Sequence, residues 1–149
     1  MSFTYEFERA SNSVDIIIIN HKLEVLLIKR GHEPGKDLWA LPGGHINPRE
    51  EPIEAARREL EEETDLIGVP LTLFDVRNGE DSRGWYVKTI YHSNLRPLRG
   101  LYAGIKAGDD AVDFKWEDLK KCGYPQSRKF LYVDHQRILA DFYMCKYIN

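Results

Sequence analysis

The order of segments along the chain predicts an α/β protein, a layered α/β/α sandwich built on a mixed β-sheet. Three observations carry this expectation. Val14 to Ile19 is dominated by β-branched residues and reads as a strand buried on both faces. Pro52 to about Thr64 has helical spacing, with acidic residues where the positive end of a helix dipole would lie. Asp134 stands as an N-cap before a second amphipathic stretch carrying Ile138, Leu139, Phe142 and Met144.

The remaining elements follow in order. Asn20-His21-Lys22 makes a turn after the first strand, and Val25 to Lys29 returns as the second. Gly31 to Asp37 is a polar loop, and Leu38 to Leu41 leads into a glycine pair. In the first helix Ile53, Ala56 and Leu60 are expected to form the buried stripe. Ala55 should lie on the carboxylate side, and Glu54 and Arg58 should pair at i, i+4 toward solvent. Leu71 to Arg77 and Trp85 to His92 read as strands flanking the turn-rich Asn78 to Gly84. Ala111 to Trp116 reads as another strand, with a short helix at Glu117 to Lys121.

Bulk properties narrow the classes of function. The 149 residues suit one domain spanning 1–149, large enough for a proper core. A net charge of −3 gives no basic footprint for nucleic acid, so an anionic substrate has to be drawn in by local cations and metal. Two cysteines without metal-binding spacing read as reduced structural thiols. Met1 to Glu8 has neither a basic start nor an apolar export core, and the aliphatic run Ile16 to Ile19 is too short for a membrane. No membrane partner is expected, and the expected location is the cytoplasm.

The chemistry concentrates between Gly43 and Glu63. Glu59, Glu62 and Glu63 stand at i, i+3 and i+4, so a helix projects all three toward one side. Hard oxygen donors on a rigid element suit Mg²⁺ or Mn²⁺, which in turn bind phosphate oxygens. Gly43 and Gly44 let backbone approach such an ion with no side chain in the way. Arg30 and Arg83 are candidate phosphate-binding residues, and Lys29 is a weaker one. His45 and His135 read as structural, and Trp39, Trp85, Tyr86 and Trp116 as core aromatics with some capacity to stack on a base.

Gly44, Glu50, Arg58, Glu59, Leu60, Glu62, Glu63 and Leu66 fall at spacings that resemble the signature of the Nudix hydrolases, and Trp39 to Gly44 is similar to the usual lead-in. One position departs: Asp65 stands where the family has a glycine at the helix end. The resemblance implies the same α/β/α sandwich, a Gly44 carbonyl among the metal ligands, and a Glu50–Arg58 salt bridge that supports the loop. It also implies a further acidic residue late in the chain. Asp110, six residues before Trp116, is the choice for that role, with Asp109 and Asp113 as competitors.

Asp81 to Gly84, Gly108 to Ala111 with Trp116, and Tyr132 to His135 with Ile138 and Leu139 together resemble the ADP-ribose pyrophosphatase group. That group includes the Nudix half of enzymes that also carry an NMN adenylyltransferase domain, for which no length remains here. The resemblance implies cleavage of a nucleoside diphosphate derivative, with ADP-ribose giving AMP and ribose 5-phosphate. Nucleotide sugars, NADH, diadenosine polyphosphates and damaged nucleoside triphosphates are alternative substrates. A non-catalytic ADP-ribose-sensing regulator is an alternative of a different class. Related ADP-ribose enzymes are often homodimers, which makes a homodimer an expectation here too.

Overall fold

The computed structural model describes residues 4–95, 111–123, 131–132 and 134–148. Its strands are β1 (Ser11–Ile19), β2 (Glu24–Arg30), β3 (Trp39–Ala40), β4 (Gly43–His45), β5 (Thr72–Asp81), β6 (Gly84–Asn94) and β7 (Ala111–Asp118). The helices are α1 (Pro52–Thr64), α2 (Leu119–Cys122) and α3 (His135–Tyr143), and a π-helical turn at Met144–Ile148 follows α3. The strands form one sheet in the order β3-β2-β1-β6-β5, with β4 also paired to β1 and β7 to β2. β1 and β6 run parallel, and the other pairs are antiparallel, so the sheet is mixed as expected.

β1 organises the core through its two-residue alternation. Ile17 and Ile19 point to the face covered by α2 and α3, where they meet Leu119, Ile138, Leu139 and Phe142. Val14, Ile16 and Ile18 point to the opposite face and meet Ala55, Ala56 and Leu60 of α1. Each such side chain contributes about 1.5–3 kcal/mol on burial, so a charge in this strand needs compensation nearby. Asp15 is that charge, and its partners lie at the cleft described below.

The ends of α1 follow from local chemistry. Pro52 occupies the first turn, and the Glu54 side chain reaches back to accept the Glu51 N–H at 3.1 Å. Asp65 closes the helix in the left-handed conformation, with φ 58°, and its N–H donates to the Glu61 carbonyl at 2.9 Å. The departure from glycine therefore leaves the helix end in place, because Asp tolerates this region better than most residues.

Several sequence expectations change in three dimensions. The strand β5 continues through Asn78 to Asp81, and the turn shrinks to Ser82 and Arg83. Gly79 lies directly under the Tyr86 side chain, where any Cβ would collide with the phenol. This glycine therefore serves close packing across the strands, which is why a turn-like composition sits inside a strand. Ala55 is fully buried against the sheet, while Ile53 only packs at the core's margin. Glu54 caps the helix rather than pairing with Arg58. Met144 lies in the π-helical turn, half exposed. Asp134 precedes α3, but its carboxylate makes no capping bond.

Among the described residues no helix is long and apolar enough to cross a membrane. Both cysteines are free thiols, Cys122 buried and Cys145 exposed. Burial, with Glu117 nearby, pushes the Cys122 thiol up to about 12. The thiolate is the reactive species, so only Cys145 should react quickly with a thiol reagent. One equivalent of a chromogenic disulfide reagent should be consumed by native protein and a second only on unfolding. Fast double labelling of the native protein would contradict the packing of Cys122.

Candidate active site

A cleft of about 330 Å³ opens where β1, β4 and α1 meet the β5–β6 hairpin and the start of α3. One wall is acidic. Glu59 and Glu63 line it, 9% and 5% exposed, from successive turns of α1. Both carboxylates rest on the glycine strand. The Gly43 N–H donates to Glu63 Oε2 at 3.3 Å. The Glu59 carboxylate occupies the space that a Cβ on Gly44 would take. The glycine pair is thus required by close approach of helix carboxylates to backbone, as well as by strand geometry.

Glu62 behaves differently from its neighbours. Its side chain is 50% exposed and accepts from Arg58 Nη1 at 3.3 Å. Only the i, i+4 pair faces the glycine strand, because the edge of the buried helix face falls between Glu62 and Glu63. Among the described residues no three acidic, histidine or cysteine side chains converge in a metal-ligating arrangement. The Arg58 guanidinium lies between Glu59 and Glu62, with Nη1 donating to them at 2.7 and 3.3 Å. The donor chemistry still fits a hard divalent cation: two buried carboxylates one turn apart, a third beside them, and a glycine backbone bare of side chains.

Arg58 is the hub of this wall. Its Nε and Nη2 hold the two Glu50 oxygens at 2.7 and 3.0 Å, its Nη1 holds Glu59 at 2.7 Å, and Nη2 also donates to the His45 carbonyl at 2.9 Å. Glu50 in turn accepts the Asn47 N–H at 2.8 Å. The fork geometry of the guanidinium makes the Glu50 contact bidentate and ties the loop 46–50 to α1. These hydrogen bonds hold the Glu50 carboxyl below its ordinary range and raise Arg58 above its own.

The opposite side of the cleft is cationic and aromatic. Arg30 lies 4.1 Å over the Tyr132 ring and donates from Nε to the Pro34 carbonyl at 2.8 Å. Arg83 donates to Asp81 at 2.7 Å and to the Tyr132 hydroxyl at 3.1 Å. The two arginines proposed from sequence are therefore brought together by one tyrosine. Lys29, Trp39, Trp85 and Trp116 do not line the cleft, whereas Tyr86 and His45 do. Asp110 and Asp109 lie outside the described residues. Asp113 is exposed, and its carboxylate accepts the Phe114 N–H at 2.8 Å.

At the floor lie residues that the sequence reading passed over. Asp15 and Lys88 are each 6% exposed. Lys88 Nζ stands 2.9 Å from Asp15 Oδ2 and 3.0 Å from Asp134 Oδ1. Burial alone disfavours both charges, but the partners outweigh it: Lys88 is held above the usual lysine range and Asp15 well below the usual carboxylate range. The signal was present in the sequence as a lone charge inside each apolar strand, Asp15 before four isoleucines and Lys88 between Val87 and Thr89-Ile90.

The site combines an acidic helix packed on a glycine strand with two arginines lining the same cleft, in a mixed-sheet α/β fold. The chain belongs to the Nudix hydrolase family: the NUDIX domain model matches residues 10–142. It is 34% identical over 127 residues to an ADP-ribose pyrophosphatase of Methanocaldococcus jannaschii, an alignment covering 84% of this chain and 69% of that protein. It is 30% identical over 110 residues to the 8-oxo-dGDP phosphatase NUDT18 of Mus musculus, covering 74% of this chain and 31% of the relative. Among solved structures, a bifunctional NMN adenylyltransferase/ADP ribose pyrophosphatase from Francisella tularensis, complexed with AMP and a Mn ion, aligns with a TM-score of 0.74 and 28% identity. That match covers 95% of this chain and 43% of the other. A MutT/nudix family protein from Enterococcus faecalis aligns with a TM-score of 0.76 and 28% identity, covering 93% of this chain and 62% of the other.

Proposed function

We propose that this protein is a Mg²⁺- or Mn²⁺-dependent pyrophosphohydrolase of a nucleoside diphosphate derivative, with ADP-ribose as the preferred substrate. The observation that carries the reaction is the buried Glu59–Glu63 pair seated on the Gly43–Gly44 backbone, facing Arg30 and Arg83 across one cleft. The choice of ADP-ribose is supported by the archaeal relative and by the Asp81 to Gly84 turn, whose Arg83 reaches Tyr132.

The metal would be held by Glu59, Glu62, Glu63 and the Gly44 carbonyl, with Asp110 completing the set. Charge neutralisation on the diphosphate and a more acidic attacking water are what such a cation supplies. Arg30 and Arg83 orient the diphosphate through charge-assisted hydrogen bonds. One of Glu59, Glu62 and Glu63, or a neighbour, accepts the proton of the attacking water. Attack on one phosphorus of ADP-ribose breaks the bridging P–O bond and gives AMP and ribose 5-phosphate. Glu50 and Arg58 support this wall without touching substrate.

The test is a comparison of kcat/KM for ADP-ribose, NADH, diadenosine polyphosphates, nucleotide sugars and oxidised guanine nucleotides with Mg²⁺ present. ADP-ribose should rank first or close to it. A clear preference for 8-oxo-dGDP would move the protein toward the mouse relative's activity and leave the reaction class intact. Binding of ADP-ribose without turnover of any compound would favour the sensing regulator.

Asp110 has its own test. Side chains alternate along a strand, so if β7 pairing extends back to them only one of Asp109 and Asp110 can face α1. Asp110→Asn should lower kcat more than it raises KM, because a metal-site interaction matters most as charge develops in the transition state. Asp109→Asn should be mild. A severe Asp109→Asn defect beside a mild Asp110→Asn one would reverse the assignment.

A further inference from the structure

The buried charges at the cleft floor connect to the acidic wall through backbone. Asp15 Oδ2 lies 2.9 Å from Lys88 Nζ and 3.2 Å from His135 Nε2. Both contacts are close enough for strong attraction, yet Oδ2 has no partner at hydrogen-bonding angles. The carboxylate therefore sits between the Lys88 ammonium and the His135 ring. Its other oxygen is turned to the glycine strand, where a Cβ on Gly43 would come within 2.8 Å of Oδ1. Gly43 is the residue whose N–H donates to Glu63. His135, 2% exposed, grips the same segment from a second side: its Nδ1 accepts the Leu41 N–H at 3.0 Å, which places the ring proton on Nε2, facing Asp15.

This cluster is a costly way to fill space. Each buried ion carries a desolvation penalty, and apolar residues of similar volume often serve stability equally well. Asp134 adds to the cost. It stands where a helix N-cap belongs, yet its carboxylate goes to Lys88 at 3.0 Å and to the Tyr86 hydroxyl at 3.4 Å. The cluster touches residues 41–43 at both ends, His135 at the Leu41 N–H and Asp15 at Gly43.

We propose that Asp15, Lys88 and His135 are positioning residues for hydrolysis: they fix the Leu41–Gly43 backbone and, through the Gly43 N–H, the Glu63 carboxylate. The inference rests on the reading that Glu63 serves the reaction. It requires no contact between these three side chains and the substrate, although all of them border the cleft.

The experiment compares Lys88→Met, Lys88→Arg, Asp15→Asn, His135→Asn and His135→Leu in the intact protein. Steady-state kinetics use whichever nucleoside diphosphate derivative the wild type hydrolyses best. The position of the Gly43 amide resonance is read in parallel by ¹⁵N–¹H correlation. Residues that orient a ligand-bearing group usually change activity by about 10–100-fold when removed, so Lys88→Met and Asp15→Asn should lower kcat at least tenfold. KM should stay within roughly twofold, since substrate contacts persist. Lys88→Arg keeps the charge and should restore most of the turnover. His135→Asn can still accept the Leu41 N–H and should retain more kcat than His135→Leu.

The Gly43 resonance should move in the same order as kcat falls. A raised KM with unchanged kcat in Lys88→Met would overturn the proposal and make Lys88 a direct substrate contact. Unchanged kcat with an unmoved Gly43 resonance would overturn it as well. Where Lys88→Met or Asp15→Asn fails to fold, the Lys88→Arg and His135→Asn pair decides: wild-type kcat and an unmoved Gly43 resonance in both, with His135→Leu equally active, would sink it. If the wild type hydrolyses no nucleoside diphosphate derivative, the functional reading fails, while the Gly43 resonance still shows whether the cluster positions the strand.

Discussion

Replacing Glu63 with glutamine should lower turnover about a hundredfold or more while leaving the fold intact, as loss of one charge-stabilising group does in other active sites. The substitution removes a negative charge and preserves shape. Glu63 is buried, so the fold has to tolerate the exchange inside the cleft wall. It should, because the glutamine carbonyl can still accept the Gly43 N–H that Glu63 Oε2 takes at 3.3 Å. The check is kcat with saturating Mg²⁺ alongside the melting temperature. Near-normal turnover in a folded variant would remove Glu63 from the reaction. A collapse of the melting temperature would instead assign it to the structure of the glycine strand.

The largest stability effect should come from Arg58→Leu. The guanidinium holds Glu50, Glu59, Glu62 and the His45 carbonyl, and its removal leaves three carboxylates close together with no cation between them. The Arg58 side chain is 27% exposed, so the loss should fall between that of an exposed pair and that of a fully buried one, about 2 kcal/mol. For a domain of this size that corresponds to roughly 4–8 °C in melting temperature. Turnover should drop as well, since Glu59 and the loop 46–50 lose their common anchor.

The same variant predicts a pH signature. Arg58 depresses the folded-state Glu50 carboxyl below its ordinary value of 4.5. Stability from that contact is therefore fully present above pH 4.5 and is lost as pH falls below it. Arg58→Leu should show a shallower loss of stability below pH 4.5 than the wild type. Asp15, likewise depressed, remains in both and keeps part of the acid sensitivity. Parallel stability curves for the two proteins would separate Glu50 from acid unfolding.

Local patterns in the sequence determined the family and most elements. The limits of α1 were readable from Pro52 and from the acidic stretch that ends it, because helix starts and spacing are encoded within a few residues. The strand β1 was readable from its β-branched run, and the glycine pair from its place before an acidic helix. What only the tertiary structure decided concerns pairings between distant elements. Glu62 stands apart from Glu59 and Glu63 because the sheet covers one edge of α1 and leaves the other in solvent. The Glu50–Arg58 salt bridge was implied by the family resemblance, but the loss of the expected Glu54–Arg58 pair was not: Glu54 goes to the Glu51 N–H and Arg58 to the loop 46–50 folded back over the helix. Arg30 and Arg83 share Tyr132 across more than a hundred and nearly fifty residues of chain respectively. Asp15, Lys88 and His135 form a buried cluster, joined at its edge by Asp134, because β1 pairs with β6 and α3 packs against the same sheet face. No local period announces such a cluster: Asp15 and Lys88 read alone as charges out of place, Asp134 as an N-cap and His135 as structural, and the compensation exists only once the strands are side by side.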